Sequence, residues 1–142
     1  NAIIAADVLE HMYNPWAVLQ QLNPLIAEGG AIYISLPNIR NLNILMGLAN
    51  GEWNYAESGI LDITHIRFFT KTQAIEMLEQ TGWKASHIVI NPDSRVSNHF
   101  QDKDLNTIDT ITAGKLKLDN MSKEDVLELM ALQFYIRAVP NL

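Results

Sequence analysis

The sequence predicts an α/β fold built on a mostly parallel sheet. Two short apolar runs, residues 2–6 and 31–36, have the length and near-continuous hydrophobicity of strands buried on both faces. Between them, Val18, Leu19, Leu22, Leu25 and Ile26 recur at helical spacing. Strand, helix and strand in that order make a parallel unit with a right-handed crossover. The polar cluster Asp7-Val8-Leu9-Glu10-His11 follows the first run directly. It therefore lies just past the carboxyl end of a strand, where open α/β sheets bind ligands.

Each element has its own local signals. Asn14 is a helix cap, and Pro15 suits the first helical position, where no N–H partner is needed. The helix is expected over 15–28, with a kink or break near Asn23 imposed by Pro24, and Gly29-Gly30 ends it. Pro37-Asn38 stops the second strand. Residues 41–50 read as a short helix, with Leu42, Leu45, Leu48 and Ala49 on one face and Gly51 beyond its end. Residues 53–69 have no clear period, which in a stretch of that length marks function or mobility. Thr70 followed by Gln73 fits a capping box for a helix over 71–81 that buries Ala74, Ile75 and Leu78. Residues 83–90 read as a third strand. Residues 93–121 are polar and mixed, and are expected to be a loose and mobile insertion. Ser122 and Asp125 repeat the capping logic for a helix to about Met130, and residues 131–139 form the last strand.

Composition limits the functions. The chain has 142 residues, a net charge of −6 and no Lys/Arg cluster, which argues against nucleic-acid backbone binding. Cysteine is absent, so disulfides and thiolate chemistry are excluded. No apolar run approaches the ~20 residues of a transmembrane helix, and no membrane partner is expected. The chain starts without Met inside a strand-like run, so it is expected to be a piece of a longer protein.

The motifs, taken together, resemble a known family. Ala5-Ala6-Asp7-Val8-Leu9-Glu10-His11, then Asn14-Pro15-Trp16, then Glu28-Gly29-Gly30 leading into Ile34-Ser35-Leu36-Pro37-Asn38, resemble the C-terminal half of a class I S-adenosylmethionine-dependent methyltransferase. The stretch from Gly51 through Tyr55, with Gly59 to Thr70, is similar to bacterial methyltransferases associated with glycosyltransferases. The Leu-Glu-His portion is also similar to ubiquinone-pathway O-methyltransferases. The likeness runs over residues 1 to about 92, returns at 131–140 and departs at 93–130.

The resemblance implies a partial Rossmann-like sheet, strands four to seven of the family, with the last strand antiparallel. It makes residues 1–142 the C-terminal part of one methyltransferase domain with an insertion at about 93–130. The implied cofactor is S-adenosylmethionine, and the implied acceptor is a small molecule or saccharide-linked group. A cytoplasmic, bacterial enzyme is expected. The Gly-rich loop that binds most of the cofactor in the family has no counterpart here, since Gly29-Gly30 follows a helix rather than a first strand. The piece alone is therefore expected to be inactive. The alternative is a non-catalytic scaffold or interaction domain that kept the fold. With the preceding strands missing, the first strand becomes a free edge and one sheet face lacks its helices, so self-association is expected.

Ala6, Asp7 and Val8 are the expected cofactor-binding residues at the end of the first strand. His11, His65 and Arg67 are the expected catalytic residues. Imidazole can take a proton from a hydroxyl near neutral pH. Arg67 can clamp an anionic acceptor or, alternatively, lock its loop with His65, with Asp62 as a candidate partner. Trp53, Tyr55, Phe68 and Phe69 line an acceptor pocket or belong to the core. Asp7, Glu10, His11 and His65 have a spacing that permits a shared metal ion, as in some RNA 2′-O-methyltransferases, but the acidic charge argues against RNA and no metal is expected.

Overall fold

Capping and turn chemistry set the element boundaries in the computed structural model, which describes residues 1–142. The side chain of Asn14 accepts from the Ala17 N–H and starts α1 (Pro15–Leu22). Pro24 ends this helix rather than kinking it, and a single tight turn, Asn23–Leu25, follows. The expected helix over 15–28 is thus shorter, and Leu25 is 66% exposed instead of lying on its buried face. Gly82, at φ +85°, has the positive φ that glycine adopts without penalty. Its carbonyl accepts from the Asn23 side chain at 2.7 Å, which ties the end of α1 to the start of β3 (Trp83–Pro92).

The main sheet also contains β1 (Ala2–Ala6), β2 (Ala31–Pro37) and β6 (Ala131–Pro140), in the order β1-β2-β6-β3. β1 and β2 are parallel, and β6 inserts antiparallel to both β2 and β3. Three strands therefore run one way and the last runs against them. α1 and α3 (Lys71–Gln80) cover one face. Leu19 from α1 and Ala74, Met77 and Leu78 from α3 meet Ala5, Ile32, Ile34, Leu36, Trp83, Phe134 and Ile136 in one core. Met77, not Ile75, is the deeply buried partner on α3. The Thr70 side chain caps α3 through the Gln73 N–H, but Gln73 turns to Glu76, so only half of the expected capping box forms.

The opposite sheet face is open. Ile4, Tyr33, Tyr135 and Val89, one from each strand, are 77%, 45%, 46% and 61% exposed.

Residues 93–121 differ from the expected loose insertion. They contain a short helix, α4 (Ser94–Ser97), and a hairpin of β4 (Ile111–Ala113) and β5 (Leu116–Leu118). Val96, Phe100, Ile111 and Met121 form a second core with Leu42 of α2 (Leu42–Ala49) and with Val126 and Leu129 of α5 (Lys123–Met130). Val96, Phe100, Ile111 and Met121 are spread one at a time among polar residues, so no period announces them, and folding alone brings them together. Ser122 and Asp125 form a full capping box on α5. Arg40 donates to Asp125 and Glu128 at 3.1 and 2.8 Å and joins α5 to the end of β2.

Asp93 anchors this second unit. Its carboxylate, almost fully buried, accepts from the backbone and guanidinium of Arg95 and from the Asn41 side chain. Burial acts to raise its pKa, but these hydrogen bonds and the Arg95 charge outweigh it and hold the carboxyl below its ordinary 3.8. Its stabilisation is complete above the unfolded-state pKa and is lost as pH falls through the lower folded-state value. Urea unfolding of the chain and of Asp93→Asn should differ by about 2 kcal/mol at pH 7. The two should converge below about pH 4.

Candidate functional site

β1 ends in a strained turn. Asp7 has φ +52°, a left-handed conformation that Asp tolerates better than most residues. Ser35 of β2, 3% exposed, holds it there. The Asp7 N–H donates to the Ser35 hydroxyl, which donates in turn to the Asp7 carboxylate, both at 2.8 Å. Ser35 was the one polar residue inside an apolar run, and that interruption was the available signal for it. The chain then makes a single 3-10 turn, Leu9–His11, which buries Leu9 and Glu10 and leaves His11 at the rim.

The aperiodic segment 53–69 closes over this turn. Ile66 and Arg67 donate their backbone N–H groups to the Glu10 carbonyl at 2.9 and 3.1 Å. The Arg67 guanidinium donates twice to the Tyr13 carbonyl, through Nε at 3.0 Å and through Nη2, and lies 5.5 Å from the Tyr13 ring centroid. In this arrangement it ties the loop to Tyr13. Asp62 accepts from the side chain and backbone of Thr64, which hold its carboxyl below the ordinary value. That turn delivers His65 into the site, where it is 9% exposed. Asp62 does not hydrogen-bond to Arg67, so the loop-locking partner is the Tyr13 carbonyl.

Asp7, Glu10, His11, Asp62 and His65 line a cleft of about 230 Å³, closed on other sides by Pro37, Gly59, Ile60, Leu132 and Gln133. His11 and His65 stack edge to face with ring centroids 4.8 Å apart. Glu10 is fully buried beneath them, and burial pushes its carboxyl above the ordinary value. The Asp7 charge adds to that shift, while the two histidines oppose it. Of the six expected site residues, Asp7, His11 and His65 line the cleft. Ala6 and Val8 flank Asp7 on the chain, and Arg67 acts from behind the loop. The expected acceptor-pocket aromatics do not line it. Phe69 is in the main core, and Trp53 packs against Tyr55 and Phe68 on the loop.

A family model described as a methyltransferase domain matches residues 1–88, more than half of the chain. The chain belongs to the methyltransferase domain family. No curated protein matches it. Among solved structures, the methyltransferase domain is similar in fold to a chain of the complex between the Haloferax volcanii Trm112 methyltransferase activator and a protein assigned as a methyltransferase. The TM-score is 0.53 and the identity 12%, over 99% of this chain and 54% of that one. It is similar also to a protein assigned as a methyltransferase from Bacillus halodurans. There the TM-score is 0.52 and the identity 10%, over 99% of this chain and 63% of that one. The chain thus spans about half to two thirds of the length of these structures. No helix in the methyltransferase domain is long and apolar enough to cross a membrane.

Proposed function

We propose that this chain is the C-terminal part of an S-adenosylmethionine-dependent enzyme that methylates a small-molecule or saccharide-linked acceptor. The carrying observation is the cleft at the carboxyl end of β1, built from Asp7, His11 and His65, in a chain of the methyltransferase domain family. That family membership favours the enzyme over the scaffold reading. The likeness of residues 51–70 to glycosyltransferase-associated methyltransferases, and of Leu-Glu-His to ubiquinone-pathway enzymes, is what points to the acceptor class. A cytoplasmic, bacterial setting belongs to the same proposal.

The fit to the cofactor is partial. Small-ligand pockets hold roughly 300–1,000 Å³, and this cleft of about 230 Å³ is smaller. Ala6, Asp7 and Val8 would form one wall, with Asp7 held by Ser35 at the lining of the cleft. Bound there, S-adenosylmethionine supplies an electrophilic methyl on a sulfonium. Transfer from it needs alignment of two reactants more than acid–base groups. His11 and His65 line the cleft in which an acceptor hydroxyl would sit. Arg67 is a positioning residue, because its hold on the Tyr13 carbonyl fixes the loop that carries His65.

Methyl-transfer kinetics of the full-length protein test this reading. Arg67→Ala should lower kcat roughly 10- to 100-fold, the scale of a small misplacement of reacting groups. KM for S-adenosylmethionine should hold, because the cofactor wall is untouched. Normal turnover with a large fall in melting temperature would leave Arg67 a structural clamp only. No methyl transfer by the wild-type protein to any hydroxylated acceptor would overturn the reading itself.

A further inference from the structure

We propose that Glu10, His11 and His65 form a binding site for a divalent first-row transition-metal ion. The first observation is an orphaned carboxylate. Glu10 is fully buried, and neither of its side-chain oxygens has a hydrogen-bond partner. Buried polar atoms are nearly always paired, and an unpaired charged one carries a large desolvation penalty.

The second observation is what faces it. His11 Nε2 and His65 Nε2 each lie 3.9 Å from Glu10 Oε1, too far for a hydrogen bond. The Nδ1 atom of each ring faces a backbone carbonyl, Thr64 at 3.2 Å for His11 and Ile60 at 2.9 Å for His65. A carbonyl can only accept, so Nδ1 carries the hydrogen in both rings. In the neutral rings the Nε2 lone pairs then converge on the carboxylate. With Glu10 ionised, three lone-pair donors meet with no hydrogen among them, and a cation is the group that satisfies all three. Ligating histidines are typically oriented in this way, by a carbonyl on the other ring nitrogen.

The geometry is close to what an ion needs. One ligand atom from each residue lies within 4.8 Å of the other two. Ligands at about 2.1 Å around a tetrahedral ion stand about 3.4 Å apart. His11, with a side chain 38% exposed, has room to swing the remaining distance. Two imidazoles and one carboxylate favour Zn²⁺, Co²⁺ or Mn²⁺ over Mg²⁺ and Ca²⁺, which take oxygen ligands. Three protein ligands leave a coordination position open to the cleft, where Asp7 and Asp62 also lie. An acceptor hydroxyl placed there would become a better nucleophile. That last step rests on the methyl-transfer reading, whereas the binding of the ion does not. The acidic composition that argued against a metal speaks against RNA as the partner, and has no bearing on an ion held by two imidazoles and a carboxylate.

The test is metal binding by the full chain after chelator treatment, with Co²⁺ followed by its visible absorption and Zn²⁺ by calorimetry. The expected result is one ion per chain, bound with Kd below about 1 μM for Zn²⁺, and a Co²⁺ spectrum of low coordination number. Mg²⁺ should not compete. Glu10→Gln keeps the side-chain volume and removes the buried charge, so its metal-free melting temperature should not fall. Its Zn²⁺ affinity should drop by about 100-fold or more, beyond the loss typical of outer-shell changes. His11→Gln, at the more exposed ring, provides a second variant with the same expected loss. Affinity no tighter than about 1 mM, or affinity unchanged in both variants, would overturn the site and leave a bridging water in its place. An ion bound by a full-length protein that transfers no methyl group would keep this site and remove the functional reading. Methyl transfer by a protein that binds no ion would do the reverse.

Discussion

Trp83→Ala should destabilise the chain by about 3–5 kcal/mol, the range for removing a large aromatic from a packed core. Trp83 is fully buried at the start of β3, inside the core that α1 and α3 build on the sheet. Its indole N–H donates to the Leu19 carbonyl of α1 at 2.9 Å. The Asn23 N–H also donates to that carbonyl at the helix end, so the oxygen would keep one partner after the substitution. Most of the loss should therefore come from the cavity rather than from an orphaned acceptor. Trp83→Phe separates the two effects. It keeps most of the aromatic packing and removes the donor, and should cost about 1–2 kcal/mol, combining a lost hydrogen bond with a smaller cavity. Urea unfolding monitored by far-ultraviolet circular dichroism measures both. A loss below about 1 kcal/mol for Trp83→Ala would mean that the core closes over the gap, and that α1 is not held on the sheet through this residue.

The isolated 142-residue chain is expected to self-associate, and Ile4→Lys combined with Tyr135→Lys should return it to a monomer. The four exposed apolar side chains on the open sheet face come from neighbouring strands, since Ile4 pairs with Tyr33 and Tyr135 pairs with both Ser35 and Val89. Arg137 stands opposite Tyr33, so the Ile4–Tyr33 and Tyr135–Val89 pairs are offset by two residues and face each other diagonally across β2 and β6. β1 also has a strand partner on one side only, and a free edge of this kind can template another chain. Residues 93–130 pack into their own core and leave this face uncovered. Burying two lysines in an apolar contact should weaken association at least about tenfold, or 1.4 kcal/mol. Sedimentation velocity over a range of concentrations, for the chain and the double variant, reads the outcome. A wild-type chain that stays monomeric at the highest concentration would show that this face is tolerated in water, and the expected self-association would be discarded.

Local chemistry determined most of the scaffold from the sequence. Asn14 with Pro15, Ser122 with Asp125 and Gly82 mark element ends because each satisfies or releases backbone groups within a few residues of itself. The runs at 2–6 and 31–36 read as parallel strands because a hydrophobic run with no polar alternation is the pattern of a strand covered on both faces, although here one face is open and Ile4 and Tyr33 are exposed on it. The position of Asp7 and His11 past the first strand was legible for the same reason, and the resemblance of those residues led to the family that the match over residues 1–88 shows.

Tertiary structure decided the rest, because the remaining contacts join residues far apart in the chain. The second core gathers Val96, Phe100 and Ile111, from a segment whose composition reads as loop, onto Leu42 and Leu129 of two helices that the sequence does announce. Arg67 turned out to hold the Tyr13 carbonyl across 54 positions, a backbone acceptor that no side-chain pattern announces. Ser35 acquired a function only when β1 and β2 aligned in register and placed it beside Asp7. In sequence Glu10 belongs to a set whose spacing permits a metal ion, and equally reads as a polar residue opening a helix. Only the fold buries it without a partner beneath two imidazoles. Its solvation depends on the loop that closes over it, and that loop lies more than fifty residues away in the chain.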